Sequence, residues 1–259
     1  MRIAMGVEYD GRRFCGWQIQ EGVDTAQASL EAGLSVVADE PVKVICAGRT
    51  DTGVHAMGQV VHFDTAASRS PRSWVFGANS NIDKAISVQW AQPVSEDFHA
   101  RFSATRRRYR YVIVNRPVRP TFAAGRVSWD HRPLDETRMA EAARHLIGEH
   151  DFNAYRAVAC QAHSPVREVM RLDVTRQDDL VIIDIEANAF LHHMVRNIAG
   201  VLMSIGAGER DMGWSKTVLE SRDRTVGGVT APPFGLYLMD VTYPAGFGLP
   251  RLSNTRLVW

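Results

Sequence analysis

The order of the predicted elements in the first hundred residues limits the possible folds more than any other feature of the sequence. Alternating apolar residues predict strands over residues 2–9, 42–47, 59–64 and 86–93. Thr25 is placed to cap a helix that runs to about Ala38, and Ser70-Pro71 begins another that runs to about Ala78. The resulting order, β-α-β-β-α-β, is typical of helices that cover a mostly antiparallel sheet.

The second half of the chain repeats this order without repeating the residues. Strands are predicted over residues 105–115, 167–176, 180–188 and 235–243, and helices over 134–147 (with Gly148 as C-cap), 192–206 and 214–221. We therefore predict an α+β fold of two ferredoxin-like halves, residues 1–103 and 104–259, with largely antiparallel sheets side by side. Such halves would leave a cleft between them, which is a usual place for a substrate.

Composition narrows the class of protein. No apolar run among the 259 residues is long enough to span a bilayer, and the first ten residues do not resemble a signal peptide, so we expect a cytoplasmic protein that does not enter a membrane. The three cysteines lie far apart, which indicates a reduced compartment without structural zinc. The nine histidines have no metal-binding spacing either, so no metal is expected.

A loop with one carboxylate, Asp51, follows the predicted strand 42–47. Gly48 and Gly53 give the backbone freedom on either side, and Arg49 is two residues away. A carboxylate held close to an arginine stays ionised, and an ionised carboxylate on a rigid loop is a competent nucleophile. A purely structural role is also open, because most loop aspartates cap a helix or close a turn.

Arginine is concentrated in one part of a chain whose net charge is only +1. Eight arginines and no acidic residue occur between Ala100 and Trp129. Such a stripe binds phosphates, although a codon bias towards arginine would give the same excess. Arginine and aromatic residues also mix in the loop 12–18, where Phe14 and Trp17 either stack on RNA bases or close over the core.

A predicted strand and a predicted helix each place arginine where apolar or aromatic residues predict burial. On the strand 105–115, period 2 places Arg107, Tyr109 and Tyr111 on one face, with Arg106, Arg108 and Arg110 on the other. A charged edge strand with inward tyrosines would show the same pattern. Arg196 lies in the first turns of the nearly all-apolar helix 192–206, where a buried arginine needs an anionic partner.

Three separated segments carry a more specific signal when they are taken in order. They are Gly48–Ala56, Ala100–Ala104 leading into Arg108–Tyr111, and Ala189–Ile198. Together they closely resemble the tRNA pseudouridine synthase A family. Asp151-Phe152 with Arg156, and Gly235–Leu238, look like later segments of that family, and the resemblance covers nearly the whole chain. Thr52 is a departure, since the family often has alanine there.

The resemblance implies isomerisation of uridine to pseudouridine at positions 38, 39 and 40 of the tRNA anticodon stem-loop. It implies no cofactor and no metal, tRNA as the partner, and a homodimer. The reaction breaks the bond between N1 and C1′, turns the uracil while it is held, and joins C5 to C1′. The target base must leave its stack, which costs a few kcal/mol.

The same resemblance implies roles for single residues. Asp51 matches the catalytic aspartate, Tyr109 the tyrosine that stacks on the target base and assists proton removal from C5, and Arg196 the arginine that pairs with the carboxylate. Arg49 looks like the arginine that displaces the base. The arginine-rich stretch, which includes Arg107, Arg108 and Arg110, would then grip the anticodon arm through phosphates and shape.

Two other classes of protein compete with this hypothesis. Asp51-Thr52-Gly53 is also the triplet of aspartic proteases, but that class needs two carboxylates that share a proton, and the chain has one copy. A non-catalytic RNA-binding protein would use the arginine strand alone. Replacement of Asp51 by alanine separates the isomerase from the non-catalytic RNA-binding protein, because only the enzyme has an activity to lose while tRNA binding largely remains.

Overall fold

The computed structural model describes residues 1–250. The strands are β1 (Arg2–Tyr9), β2 (Ile45–Cys46), β3 (His55–Asp64), β4 (Ile86–Val94), β5 (Arg106–Asn115), β6 (Ser128–Asp130), β7 (Gly148–Asp151), β8 (Val166–Gln177), β9 (Leu180–Ala187) and β10 (Leu236–Thr242). The helices are α1 (Ala26–Ala38), α2 (Pro71–Asn81), α3 (Glu136–Ala143), α4 (Met194–Gly206) and α5 (Trp214–Ser221). None of these helices is long and apolar enough to cross a membrane.

The first of two compact units comprises Met1–Thr105 and the segment that begins at Tyr237. Its sheet runs in the order β4-β1-β3-β10, and β2 also pairs with β3. The pairs of β1 with β3 and with β4 are antiparallel, and β10 pairs in parallel with β3. α1 packs against α2, and α2 packs against β4. Both helices bury side chains in the core of the unit, among them Leu30 and Leu34 of α1 and Trp74 of α2.

The second unit is Arg106–Leu236. Its strands follow the order β5-β9-β8-β7 in antiparallel pairs, and β6 pairs in parallel with β5. α3 packs against α4 and β8. α4 is buried on nearly every side, as its apolar sequence predicts. The β8–β9 hairpin turns at Asp178, which has a left-handed φ of 51°.

The predicted α+β class is confirmed, and so are most of the predicted elements. The order β-α-β-β-α-β of the first hundred residues is observed, and Thr25 and Ser70 cap α1 and α2 as expected. β10, which the division at 103/104 assigns to the C-terminal half, groups with the first unit.

The strand predicted over residues 42–47 is wrong in length, because only Ile45–Cys46 is a strand. The backbone amides of two residues in this run donate to side chains of α1: Val42 N to Ser35 Oγ at 2.9 Å, and Val44 N to Glu31 Oε1 at 3.0 Å. Those amides are therefore satisfied without a neighbouring strand.

The helix predicted over residues 134–147 is also too long. α3 begins after Asp135, whose side chain accepts hydrogen bonds from the amides of Thr137 and Arg138, and it ends at Ala143. A short 3-10 turn, Arg144–Leu146, follows. Gly148 is not a helix C-cap. It is the first residue of β7, and its φ is +106°.

Candidate active site

The Asp51 loop connects β2 with β3 in the first unit. Asp51 is half-buried, whereas Arg49 and Thr52 are exposed. The amide of Val54 donates to the carbonyl of Asp51 at 3.1 Å, and Gly53 has a φ of +80°, so the chain turns tightly just after the carboxylate. Asp51 thus closes a turn, and its half-exposed carboxylate lies on a loop of fixed backbone.

Buried polar side chains form hydrogen bonds with the residues that precede Asp51 in this loop. The hydroxyl groups of Tyr9 and Thr50 are 2.7 Å apart. Gln59 is fully buried; its Nε2 donates to the carbonyl of Gly48 at 2.6 Å, and its Oε1 accepts from the Gly48 amide at 3.4 Å. A buried amide with its hydrogen bonds satisfied specifies one backbone position. β1 and β3 therefore fix the residues on the N-terminal side of Asp51.

The segment 11–17 packs against the other side of the Asp51 loop. The amide of Trp17 donates to the carbonyl of Thr50 at 3.0 Å. A Cβ on Gly16 would lie 2.9 Å from that same carbonyl oxygen, and a Cβ on Gly11 would lie 2.1 Å from the carbonyl oxygen of Val54. Only glycine permits so close an approach of two backbones.

The aromatic residues of this segment are structural. Phe14 and Trp17 are buried, so the hypothesis that they stack on RNA bases is wrong and the alternative, in which they close over the core, is correct. Arg13 forms ion pairs with Asp24 at 2.6 Å and Asp83 at 3.2 Å. Pairing with carboxylates orients this arginine within its own unit.

A second polar cluster, centred on His55, lies at the start of β3. Its Nδ1 accepts from the amide of Gly11 at 3.1 Å, and its ring stacks on Tyr237 with centroids 4.6 Å apart. Burial of Asp10 would raise the pKa of that carboxyl, but hydrogen bonds from Arg12 hold the pKa below its usual value. The sequence predicts no role for His55 or Gln59, although His55 lies within the segment Gly48–Ala56 and Gln59 lies just beyond it.

In the second unit, β5 places its tyrosines as predicted. Tyr109 and Tyr111 lie on the buried face, and the ring of Phe190 meets Tyr109 edge-on at a centroid distance of 5.0 Å. Tyr109 is 8% exposed and Tyr111 is completely buried, so Tyr109 is the tyrosine that reaches the surface. β5 pairs with β9 along one side and with β6 along the other over Ile113–Asn115.

The arginines of β5 are held by neighbours on β9 or just beyond it. Arg110 pairs with Asp184 at 2.8 Å, and Arg106 pairs with Glu186 at 3.0 Å. Arg107 is buried, and its guanidinium donates to the carbonyl of Asn188 at 2.8 Å. Arg108 is half-buried. The arginine-rich stretch contains no acidic residue, but in the fold two of its arginines pair with acidic residues of β9.

Arg196 occupies the first turn of α4 and is half-buried. Its Nε donates to the carbonyl of Ala231 at 2.9 Å, and the amide of Ala231 donates to the carbonyl of Arg196 at 3.1 Å. The preceding residues are fixed by His193, which adopts a left-handed φ of 61° before the helix begins. This reciprocal pair of bonds holds the guanidinium stem at the N-terminal end of α4.

Tyr111 holds the same segment from the other side. Its hydroxyl donates to the carbonyl of Pro232 at 2.9 Å and is 2.5 Å from Ser128 Oγ. Burial raises the pKa of Tyr111, although the hydrogen bond of Ser128 and the positive charge of Arg196 both oppose the rise. Tyr111 is therefore a neutral donor, and Ser128 donates to it.

Within the first unit the structure brings Arg49 and Asp51 into one loop, and within the second it places Tyr109 beside Phe190 and Arg196 beside Ala231. A half-buried carboxylate on a loop whose backbone is held by hydrogen bonds is suited to act as a nucleophile or as a proton acceptor.

Comparisons with known proteins identify the kind of enzyme. The family model described as tRNA pseudouridine synthase matches residues 5–103 and 142–244. The chain is 62% identical over 259 residues to a protein of Nitrosococcus oceani, with both chains covered completely. It is 60% identical to a protein of Pseudomonas aeruginosa (96% of this chain, 88% of that one) and 54% identical to one of Coxiella burnetii (97% and 96%). Each of these relatives is named tRNA pseudouridine synthase A.

The chain belongs to the tRNA pseudouridine synthase family, and it is an isomerase. The resemblance of its three ordered segments to that family is thereby confirmed, as is its assignment as an enzyme. The aspartic-protease and non-catalytic RNA-binding hypotheses are wrong, since relatives matched along the full chain have another activity by name.

Proposed function

We propose that this protein isomerises uridine to pseudouridine at positions 38, 39 and 40 of the tRNA anticodon stem-loop, with Asp51 as the catalytic carboxylate. Support comes from full-length similarity to proteins named tRNA pseudouridine synthase A. The observation that carries the proposal is the Asp51 loop itself: one half-exposed carboxylate on a backbone fixed by buried Gln59 and Thr50. A rigid loop lets a nucleophile meet its substrate without reorganisation.

The reaction is an isomerisation, so no atom is gained or lost overall. The N1–C1′ bond of the nucleotide breaks, a C5–C1′ bond forms, the C5 proton leaves, and N1 gains a proton. Asp51 acts as the nucleophile or as the proton acceptor in this sequence. The bound base excludes water from the site, and electrostatic interactions between the protein and the reacting groups are stronger without water.

Three other side chains have proposed roles in the reaction, on the target nucleotide or on the carboxylate of Asp51. Tyr109 stacks on the uracil and assists removal of the C5 proton, which suits a tyrosine that keeps a small exposed area. Arg196 pairs with the catalytic carboxylate, and Ala231 orients its stem. Arg49 is exposed beside Asp51 and enters the space left when the base leaves its stack.

The arginines of β5 contribute to tRNA binding in this proposal. Arg108 makes phosphate contacts, whereas Arg107 and Arg110 are held by Asn188 and Asp184 and orient the strand that presents Tyr109. We further propose a homodimer that acts in the cytoplasm and needs neither a cofactor nor a metal.

The test uses unmodified tRNA transcripts in which one uridine, at position 38, 39 or 40, is labelled with tritium at C5. The full-length protein is expected to release tritium from each of the three transcripts and from none whose only labelled uridine lies in another arm. Release confined to another arm would refute the proposed positions, and no release from any transcript that the protein binds would refute the reaction.

A further inference from the structure

An exposed aromatic residue outside the Asp51 loop, Phe102, lies in the first unit between β4 and β5. Its side chain is 76% exposed. The Nδ1 atom of His99 accepts hydrogen bonds from the amides of Arg101 and Phe102, both at 3.2 Å. The amide of Ser103 donates to the carbonyl of His99, and the amide of His99 donates to Ser103 Oγ, each at 2.9 Å. The backbone beneath this exposed ring is thus held at four points.

The segment is also attached to the core. The amide of Ala100 donates to Nδ1 of buried His62 at 3.1 Å, and the carbonyl of Ala100 accepts from the hydroxyl of Tyr243 at 2.6 Å. The rings of His99 and Phe102 are 4.3 Å apart. A large apolar ring held in place in this way loses little conformational entropy when a partner binds.

The same strand, β3, positions both this segment and the Asp51 loop. His62 lies opposite Ile45 of β2, and the amide of Ala47, next to Cys46, donates to the carbonyl of Val60 at 2.8 Å. Burial raises the pKa of the Cys46 thiol to about 12, and the positive charges of Arg49 and Arg101 oppose that rise. Through His62 and Val60, β3 therefore connects the segment 99–103 with the strand that leads into the Asp51 loop.

The charge near Phe102 favours one kind of partner. The guanidinium carbon of Arg101 lies 5.5 Å from the centroid of the Phe102 ring. An aromatic face beside an arginine is suited to an unpaired base and its phosphate, because bases stack on aromatic rings and guanidinium groups bind phosphates. A purely apolar protein partner would leave the arginine charge poorly solvated.

We propose that Arg101 and Phe102 form a second RNA-binding surface, the 101–102 platform, on which an unpaired base of the bound tRNA stacks against Phe102. The platform deepens the proposed function and rests on it, since it adds a contact with the substrate RNA outside the reacting nucleotide. Phe102 contributes stacking, and Arg101 contributes a phosphate contact.

The chain offers a matched control for this platform. Phe76 of α2, in the same unit, is 58% exposed, and the guanidinium carbon of Arg72 lies 4.5 Å from its ring centroid. Phe76→Ala removes the same chemical group from an arginine-backed exposed position that the proposal does not use. Phe102→Trp retains a stacking surface, and Arg101→Gln removes only the charge.

The experiment measures the Kd of the full-length variants for unmodified tRNA at several salt concentrations. Phe102→Ala is expected to raise Kd about tenfold, with an unchanged salt slope, because base stacking is largely independent of counterions. Phe102→Trp should restore binding, Phe76→Ala should leave Kd unchanged, and Arg101→Gln should reduce the salt slope by about one phosphate contact.

Equal Kd values for Phe102→Ala, Phe76→Ala and the unaltered protein would overturn the platform and leave the proposed function intact. Phe102→Ala that changes the sedimentation of the free protein, but not tRNA affinity, would assign the ring to a protein–protein contact and also overturn it. Failure of the proposed function has a different signature, because the unaltered protein would then release no tritium from position 38, 39 or 40.

Discussion

At the scale of single residues, the role of an arginine depends on what holds it. Arg196 is bound to the carbonyl of Ala231, and Tyr111 is bound to the carbonyl of the next residue, Pro232. Two partly buried hydrogen bonds to adjacent carbonyl groups therefore fix the position of one guanidinium group. This support is invisible in the sequence, because Ala231 lies 35 residues from Arg196.

Tyr111→Phe tests that support. The change leaves Ser128 Oγ and the carbonyl of Pro232 without a buried partner, which we expect to lower the free energy of unfolding by about 1–3 kcal/mol. It should also lower kcat, because Arg196 loses its fixed position.

Tyr155→Phe is the matched control, since this equally buried hydroxyl binds the carbonyl of Ser215 in the same unit. Urea unfolding should show a similar loss of stability for both variants, whereas kcat should fall markedly in Tyr111→Phe alone. Equal kcat values would show that Tyr111 is merely a structural residue.

The titration of a single histidine gives a second prediction at this scale. Burial lowers the pKa of His62 to about 4, and the charges of His99 and Arg2 act in the same direction. Its Nδ1 accepts from the Ala100 amide, so the folded protein requires the neutral ring. Protonation favours the unfolded chain, where the pKa is about 6.5, and stability is therefore lost as the pH falls from about 6.5 towards 4.

We expect the unaltered protein to lose about 2 kcal/mol more unfolding free energy between pH 7 and pH 5 than His62→Asn, whose Oδ1 matches the position of Nδ1 and can accept the Ala100 amide. Urea unfolding at the two pH values measures the difference. Identical pH dependence in the two proteins would mean that another group controls stability in this range.

At the scale of elements, local patterns predicted where strands and helices occur but not where side chains replace backbone partners. β1 and α1 have the predicted bounds because caps and alternation are local signals. The strand expected over 42–47 is short because Ser35 and Glu31 bind its amides. Such a contact depends on how α1 packs, and periodicity carries no information about it.

The contact between segment 11–17 and the Asp51 loop can be tested with two glycines. Gly16 and Gly22 both have left-handed φ values, +85° and +75°, but only a Cβ at Gly16 would meet another group, the carbonyl of Thr50 at 2.9 Å. Gly22→Ala should therefore cost only the conformational strain, about 1 kcal/mol.

Gly16→Ala should cost about 1–2 kcal/mol more than Gly22→Ala in unfolding free energy, because the backbone of the Asp51 loop must shift. It should also reduce isomerase activity, whereas Gly22→Ala should not. Equal stabilities would mean that the two segments do not constrain each other.

At the scale of the whole molecule, the sequence predicted the α+β class and the ordered candidate residues, but not the partner of the last strand. β10 pairs in parallel with β3, so residues from both ends of the chain contribute to one unit. Pairing between strands that are far apart in sequence depends on tertiary packing rather than on local propensity. The roles of Asp51, Tyr109 and Arg196 stay predictions, and they rest on the resemblance of their three sequence segments to the family rather than on local periodicity.

The central claim is that one carboxylate, Asp51, carries the isomerisation. Its most direct test compares tritium release from tRNA labelled at uracil C5 by the unaltered protein, Asp51→Ala and the neighbouring control Thr52→Ala, which changes an exposed residue of the same loop. Asp51→Ala is expected to lose activity by about a thousandfold or more while it still binds tRNA, and Thr52→Ala is expected to remain active. Tritium release by Asp51→Ala at the rate of the unaltered protein would contradict the claim.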